Sequence, residues 1–287
     1  MYNETVMLSN GVQVPMLALG TWLVEDDKAA EAVRNAVSIG YRHVDTAQAY
    51  GNERGVGEGI RTCGIPRAEL FVTSKVAAEH KTYAEAAAGI DKTLADMGLD
   101  YLDMMIIHSP QPWNKVNQCE DRYVEGNREA WRALEDAYQA GKLRVIGVSN
   151  FLKGDIESLC ETARIRPMVN QVLCHISNTP LELIDYCQTR SIVMEAYSPV
   201  AHGEALKNPR IAGMAAKYGV TISQLCIRYC LQLGCIALPK TANPDHMREN
   251  AAVDFVISNE DMETLKNVEK IRDYGAHSFF PVFGGKL

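Results

Sequence analysis

The sequence predicts an α/β protein: a (β/α)8 barrel of the TIM type in one domain spanning residues 1–287. Three observations carry that prediction. Strand-like apolar runs alternate with amphipathic helical stretches along the chain. The runs are almost continuously apolar, as strands covered on both faces should be. And there are eight of them, near Leu17, Val44, Val72, Met105, Val145, Val169, Val193 and Ile236.

The elements follow in order. "ETVMLSNGVQVPML" places Asn10-Gly11 between apolar stretches, a hairpin signal, and the hairpin is expected to plug the barrel bottom. "MLALGTW" reads as a strand, "DDKAAEAVRNAVSIG" as a helix and "YRHVDTA" as the next strand. "LFVTSK" precedes the helical "YAEAAAGIDKTLADMGL", whose Tyr83, Ala87, Ile90, Leu94 and Met97 share one face. After the strand "YLDMMIIH", the helix "REAWRALEDAYQAG" groups Trp131, Leu134 and Tyr138 and stops at Gly141. "KLRVIGVSN", "PMVNQV" and "SIVMEAYS" continue the strands, with Thr179 expected to cap the helix that begins at Pro180. "GCIALPK" is the last strand, and an extra C-terminal helix is expected beyond it.

Composition narrows the function. The chain is 47% hydrophobic and 23% charged, with net charge -7 and no basic block. That balance argues against nucleic acid and membrane surfaces as partners. No apolar run approaches the ~18 residues of a bilayer span. The eight cysteines contain no CxxC, and the polar opening "MYNETVMLSN" has no secretory pattern. The expectation is free thiols in the cytoplasm.

Polar residues gather where the strands end: Thr21 and Trp22, Asp45, Lys75, His108, Ser149 with Asn150, Gln171, Tyr197 with Ser198, and Lys240. Any one of them alone is an ordinary loop residue. In a barrel, however, these ends share the rim that carries active sites. Tyr50, five residues past Asp45, is a candidate proton donor. A phenol of pKa near 10 is a weak acid, and lowering it by ~2 units takes about 2.7 kcal/mol. An ammonium ~4 Å away supplies about 4 kcal/mol at an effective dielectric of 20. Lys75 is placed for that role, Asp45 for keeping Lys75 charged and aimed, and His108 for directing a substrate oxygen. Such a set can protonate an oxygen while a hydride reaches its carbon.

These residues carry a resemblance. "ALGTW", "HVDTAQAYGNE", "VTSK", "IIHSP", "GVSNF", "NQV", "AYSP" and "PKTANPDHMREN", in this order and spacing, are similar to the aldo-keto reductases nearly end to end. The look is nearest to bacterial diketogluconate and small-dicarbonyl reductases. The resemblance implies a barrel that reduces aldehydes or ketones with NADP(H) or NAD(H), with Asp45, Tyr50, Lys75 and His108 as its catalytic tetrad. It implies cofactor contacts from Thr21, Ser149, Asn150, Gln171, Tyr197, Ser198, Val200, Lys240, Thr241, His246, Glu249 and Asn250. Ser149, Asn150 and Gln171 suit a carboxamide, and Tyr197 can stack beneath a ring. Asn243 and Pro244 start a helix whose free N–H groups can meet a phosphate. "GVGEGI" is a decoy: Ile60 stands where GxGxxG needs its third glycine.

Two positions depart from the family pattern. His246 stands where an arginine usually meets the 2'-phosphate, and a histidine is largely neutral at pH 8 where an arginine is not. Use of NAD(H) beside NADP(H) is therefore expected. Arg248, about 200° around a helix, should point elsewhere. Ser109 replaces a tryptophan common in relatives, so a smaller, more polar pocket wall is expected there, with Trp22 and Trp113 as aromatic walls. The partner is then a small-molecule carbonyl substrate, and the family expectation is a monomer. Two other readings compete. One is a cofactor-binding, redox-sensing regulatory subunit. The other is a metal-dependent barrel hydrolase using His43, Asp45 and His108, against which the chain has HxD rather than HxH. Substrate choice is expected to lie in Ser109 to Asn127, the segment after Pro199, and the tail "HSFFPVFGGKL".

Overall fold

The computed structural model describes residues 4–116 and 118–282. Strands β1 (Thr5–Met7) and β2 (Gln13–Pro15) form the predicted antiparallel hairpin. Its turn uses Gly11 at φ 82°, a conformation glycine adopts without a Cβ penalty. Leu8 and Val14 are buried beneath it, and Asn10 donates to the carbonyl of Arg144 near the start of a barrel strand. The hairpin thus lies over the N-terminal ends of the strands.

The barrel strands are β3 (Ala18–Gly20), β4 (His43–Asp45), β5 (Phe71–Val76), β6 (Leu102–Ile107), β7 (Leu143–Ser149), β8 (Val169–Leu173), β9 (Val193–Tyr197) and β10 (Ile236–Leu238). All pair in parallel, in sequence order. Bridges Leu17↔Ala237 and Gly20↔Lys240 join the last strand to the first. At this seam a Cβ on Gly20 would stand 3.3 Å from the Leu238 carbonyl, so glycine permits the close approach. The bridges nearly close the barrel and bring all eight strand ends to one rim.

The α-helices among the described residues are α1 (Asp26–Ile39), α2 (Glu53–Thr62), α3 (Tyr83–Met97), α4 (Val124–Gln139), α5 (Lys153–Cys160), α6 (Leu181–Gln188), α7 (Pro209–Tyr218), α8 (Ile222–Gln232), α9 (Pro244–Ala251) and α10 (Asn259–Lys266). The "GVGEGI" stretch is not a phosphate loop. Gly55, Gly57 and Gly59 lie inside α2, where a Cβ would collide with Asp26 of α1, Met97 of α3 and Val33 of α1. They are glycines because helices pack closely there. Two local expectations shift. The buried face of α3 centres on Ala86, Gly89, Ile90, Thr93 and Met97, while Tyr83, Ala87 and Leu94 sit at its half-buried margin. Thr179 does not cap α6; Pro180 is the N-cap, and the Thr179 hydroxyl instead donates to the His175 carbonyl and bonds the Tyr229 hydroxyl. A tertiary contact outcompetes the local cap.

Candidate active site

The rim holds a cleft of about 440 Å³. At its base Lys75, on β5 and fully buried, donates to Asp45 Oδ1 at 2.6 Å, to the Thr46 carbonyl at 2.8 Å and to the Tyr50 hydroxyl at 3.2 Å. The three bonds satisfy all three ammonium protons, which is what an internal cation requires. Burial lowers the Lys75 pKa, but Asp45 and Tyr50 together outweigh it and hold the ammonium above its ordinary range. Tyr50 lies in a short turn of helix that ends at Gly51, φ 68°. Asn52 anchors this turn: its amide donates to the carbonyls of Thr21 and Val24 and accepts from the Thr46 hydroxyl.

One electrostatic expectation is corrected. Tyr50 does not have a lowered pKa here. Burial raises it, and Lys75, pulling the other way, does not fully offset that effect. The phenol therefore keeps its proton at neutral pH. His108 stands beside it with ring centroids 5.6 Å apart. Burial, and then the charge of Lys75, holds this imidazole well below its ordinary pKa, so it is neutral. Its Nδ1 has no hydrogen-bond partner among the described residues. His43 does not join the group. Its ring nitrogens meet the Pro15 carbonyl at 3.2 Å and the Thr73 hydroxyl at 2.9 Å, one layer deeper in the barrel.

Thr21, Ser149, Asn150, Gln171, Tyr197, Ser198 and Val200 all line the cleft, as do Lys240, Thr241, His246, Glu249 and Asn250. Asn150 (φ 61°) and Ser198 (φ 52°) take left-handed turns directly after β7 and β9, ending those strands at the rim. Asn150 is not a helix cap, since Leu152 precedes α5. Its amide nitrogen donates to the His108 carbonyl and Ser149 Oγ, and its oxygen accepts from the Tyr197 hydroxyl at 2.7 Å. Gln171 donates to Asp45 Oδ2 and Glu195 Oε2. Further along the cleft, Asn243 caps α9 with Pro244 at the first turn, as expected. His246 lines the cleft, whereas Arg248 pairs with Asp245 and is not among the lining residues.

Trp22 and Trp113 are walls. Trp113 lies 4.9 Å from His108 and 4.7 Å from Phe280, centroid to centroid. Ser109, by contrast, is not among the lining residues. It is buried, its hydroxyl accepts from the Gln111 backbone N–H, and its carbonyl accepts from Lys81. The expected polar wall is therefore absent at that position, and Trp113 occupies the space beside His108. His202, His277 and Phe280, which line the cleft, come from the expected substrate segments after Pro199 and in the tail, although sequence reasoning singled out none of them; Glu195 beneath the cleft it missed altogether. Glu195 did carry a signal: a lone charge in an apolar strand, two residues before Tyr197 and so on the same face. Residues 117 and 283–287 of the expected substrate segments lie outside the described residues.

The chemistry of this donor set fits a nicotinamide dinucleotide. Amide and hydroxyl groups cluster at one end beside a tyrosine ring, and a lysine, a hydroxyl and a helix start stand at the other.

Comparison with known proteins points the same way. Residues 16–270 match the Aldo/keto reductase family. The chain is 42% identical over 269 residues to glyoxal reductase of Bacillus subtilis, covering 93% of each chain. It is 43% identical over 265 residues to YtbE, an oxidoreductase of the same organism, covering 90% of each. Among solved structures, the aldo-keto reductase of Bombyx mori in complex with NADP superposes with a TM-score of 0.84 at 30% identity, covering 96% of each chain.

Proposed function

We propose a mechanism on the premise that this chain belongs to the aldo/keto reductase family, whose members are oxidoreductases acting on carbonyl groups. The protein is an NAD(P)H-dependent carbonyl reductase. In our reading Tyr50 is its general acid. The observation that carries this is the short chain of contacts from Asp45 through Lys75 to the Tyr50 hydroxyl, opening on the cleft beside His108.

A bound reduced nicotinamide supplies the hydride. The chain's own residues do the rest. Neutral His108 directs the carbonyl oxygen toward Tyr50. The Tyr50 hydroxyl gives its proton to that oxygen as negative charge develops there, and Lys75 at 3.2 Å stabilises the phenolate left behind. A raised phenol pKa suits this order, because Tyr50 stays protonated until the substrate oxygen becomes basic. Asp45 keeps Lys75 charged and in place. Ser149, Asn150 and Gln171 would hold the carboxamide, Tyr197 would support the ring, and Lys240, Thr241 and the α9 start would hold phosphate. Thr21, Ser198, Val200, Glu249 and Asn250 complete the cofactor contacts. With His246 at the 2'-phosphate, NADH should serve beside NADPH.

The likeness to glyoxal reductase supports small aldehydes and dicarbonyls as the substrate class. Trp22, Trp113 and Phe280 would enclose the substrate beside Tyr50 and His108. The test is a panel of glyoxal, methylglyoxal and larger aldehydes with each cofactor. Turnover of small dicarbonyls is expected. Tight cofactor binding without oxidation by any aldehyde would instead favour a redox-sensing subunit.

A further inference from the structure

We infer that Glu195 is a positioning residue: it holds the Gln171 amide with its nitrogen turned into the barrel and its carbonyl oxygen left for the cleft. The inference deepens the reading of Gln171 as a carboxamide contact and rests on it. Glu195 lies at the centre of β9, fully buried, in register with Gln171 on β8. Its Oε2 accepts from Gln171 Nε2 at 2.9 Å. The same nitrogen donates to Asp45 Oδ2 at 2.9 Å. A primary amide has two N–H donors and one acceptor oxygen. Both donors therefore meet carboxyl oxygens inside the barrel.

The amide's direction follows from chemistry. Asp45, ion-paired with Lys75, can only accept. A flipped amide would aim its oxygen at that carboxylate. Asp45 engages one N–H and Glu195 the second, so turning the amide over breaks two hydrogen bonds instead of one. Glu195 Oε1 has no hydrogen-bond partner, and no cation is paired with the carboxyl among the described residues. Burial, and then the charge of Asp45, raises its pKa to about 8, so it is a neutral acid at pH 7 and does not draw Lys75 away from Asp45. Facing it are Asp45 from β4, Lys75 from β5 and Gln171 from β8, with Ile236 in register on β10. A buried, half-satisfied carboxyl destabilises a core. Its place against Gln171 gives it a use.

The consequence is that position 171 offers the cofactor an acceptor, not a donor. A nicotinamide carboxamide can donate to it; the acetyl group of a 3-acetylpyridine dinucleotide cannot. The experiment compares dissociation constants of NADH and NADPH with those of their reduced 3-acetylpyridine analogues. In wild-type protein the bond favours the carboxamide by about 2- to 13-fold. Glu195→Met is expected to lower the ratio by that factor. Glu195→Gln, whose carbonyl still accepts, is expected to keep it. Gln171→Met is expected to lower it to the same level. A ratio that falls in Gln171→Met but not in folded Glu195→Met overturns the inference alone. A ratio unmoved by Gln171→Met overturns the carboxamide reading and the inference with it. A second measurement needs no variant at 195: both side-chain N–H signals of Gln171, assigned by their loss in Gln171→Met, should resist deuterium exchange. Rapid exchange of one of them overturns the inference.

Discussion

Replacing Lys75 with methionine removes one charge from a buried site and leaves the hydrocarbon stem. The ammonium lies 3.2 Å from the Tyr50 oxygen. At an effective dielectric of 20 this favours phenolate over phenol by about 5 kcal/mol. If about half of the charge has moved onto that oxygen at the transition state, the loss is about 2.6 kcal/mol, or roughly 80-fold in rate. The effect should exceed this, because Asp45 then repels the phenolate without a counter-charge. Its carboxylate also stays buried, with Gln171 still donating to it. Breaking a buried pair in this way destabilises by roughly 3–5 kcal/mol. A Lys75→Met/Asp45→Asn double variant should therefore recover most of the stability and none of the activity. The assay is single-turnover oxidation of NADPH by glyoxal from pH 6 to 10, with cofactor affinity and melting temperature measured alongside. Wild-type rate and pH profile in a folded Lys75→Met protein would refute the reasoning.

Four further outcomes are expected. Tyr50→Phe should lower turnover by ~10²-fold or more while cofactor affinity holds; near-normal turnover in steady-state assays removes Tyr50 as the acid. His246→Arg should tighten NADPH by about 10- to 150-fold through a charge-assisted hydrogen bond and leave NADH unchanged, as titration of both cofactors will show. Trp113→Ala, which opens the wall beside His108 and Phe280, should raise kcat/KM for bulky aldehydes relative to glyoxal; equal changes for both place Trp113 outside the substrate site. Glu195 has a folded pKa of about 8 against an ordinary 4.5, so its contribution to stability is full below pH 4.5 and is lost as pH rises through 8. At pH 7 the loss is on the order of 3 kcal/mol. Melting curves should show Glu195→Gln gaining on wild type between those values and no further above them; a gain that does not vary with pH contradicts the raised pKa.

The order of elements and the strand ends are properties of the sequence itself. Apolar runs of strand length, alternating with amphipathic stretches, admit few topologies, and closing eight of them into a ring brings Asp45, Lys75, His108 and Gln171 to one rim. Asn243-Pro244 is a legible helix start because its cap is local: the Asn243 side chain accepts from the Asp245 backbone N–H two residues on. Tertiary structure decided the rest, for reasons that depend on distance and burial. Whether Lys75 lowers the Tyr50 pKa or only opposes the rise is a balance of Coulomb attraction at 3.2 Å against desolvation, and neither can be read from spacing. Ser109 follows His108 directly, yet the chain past the end of β6 buries it in protein, and Trp113 fills the space from a loop. Thr179 had cap chemistry but met Tyr229, fifty residues away, instead. Glu195 looked like one more charge in the chain until the parallel register set it against Gln171, and through that amide against Asp45.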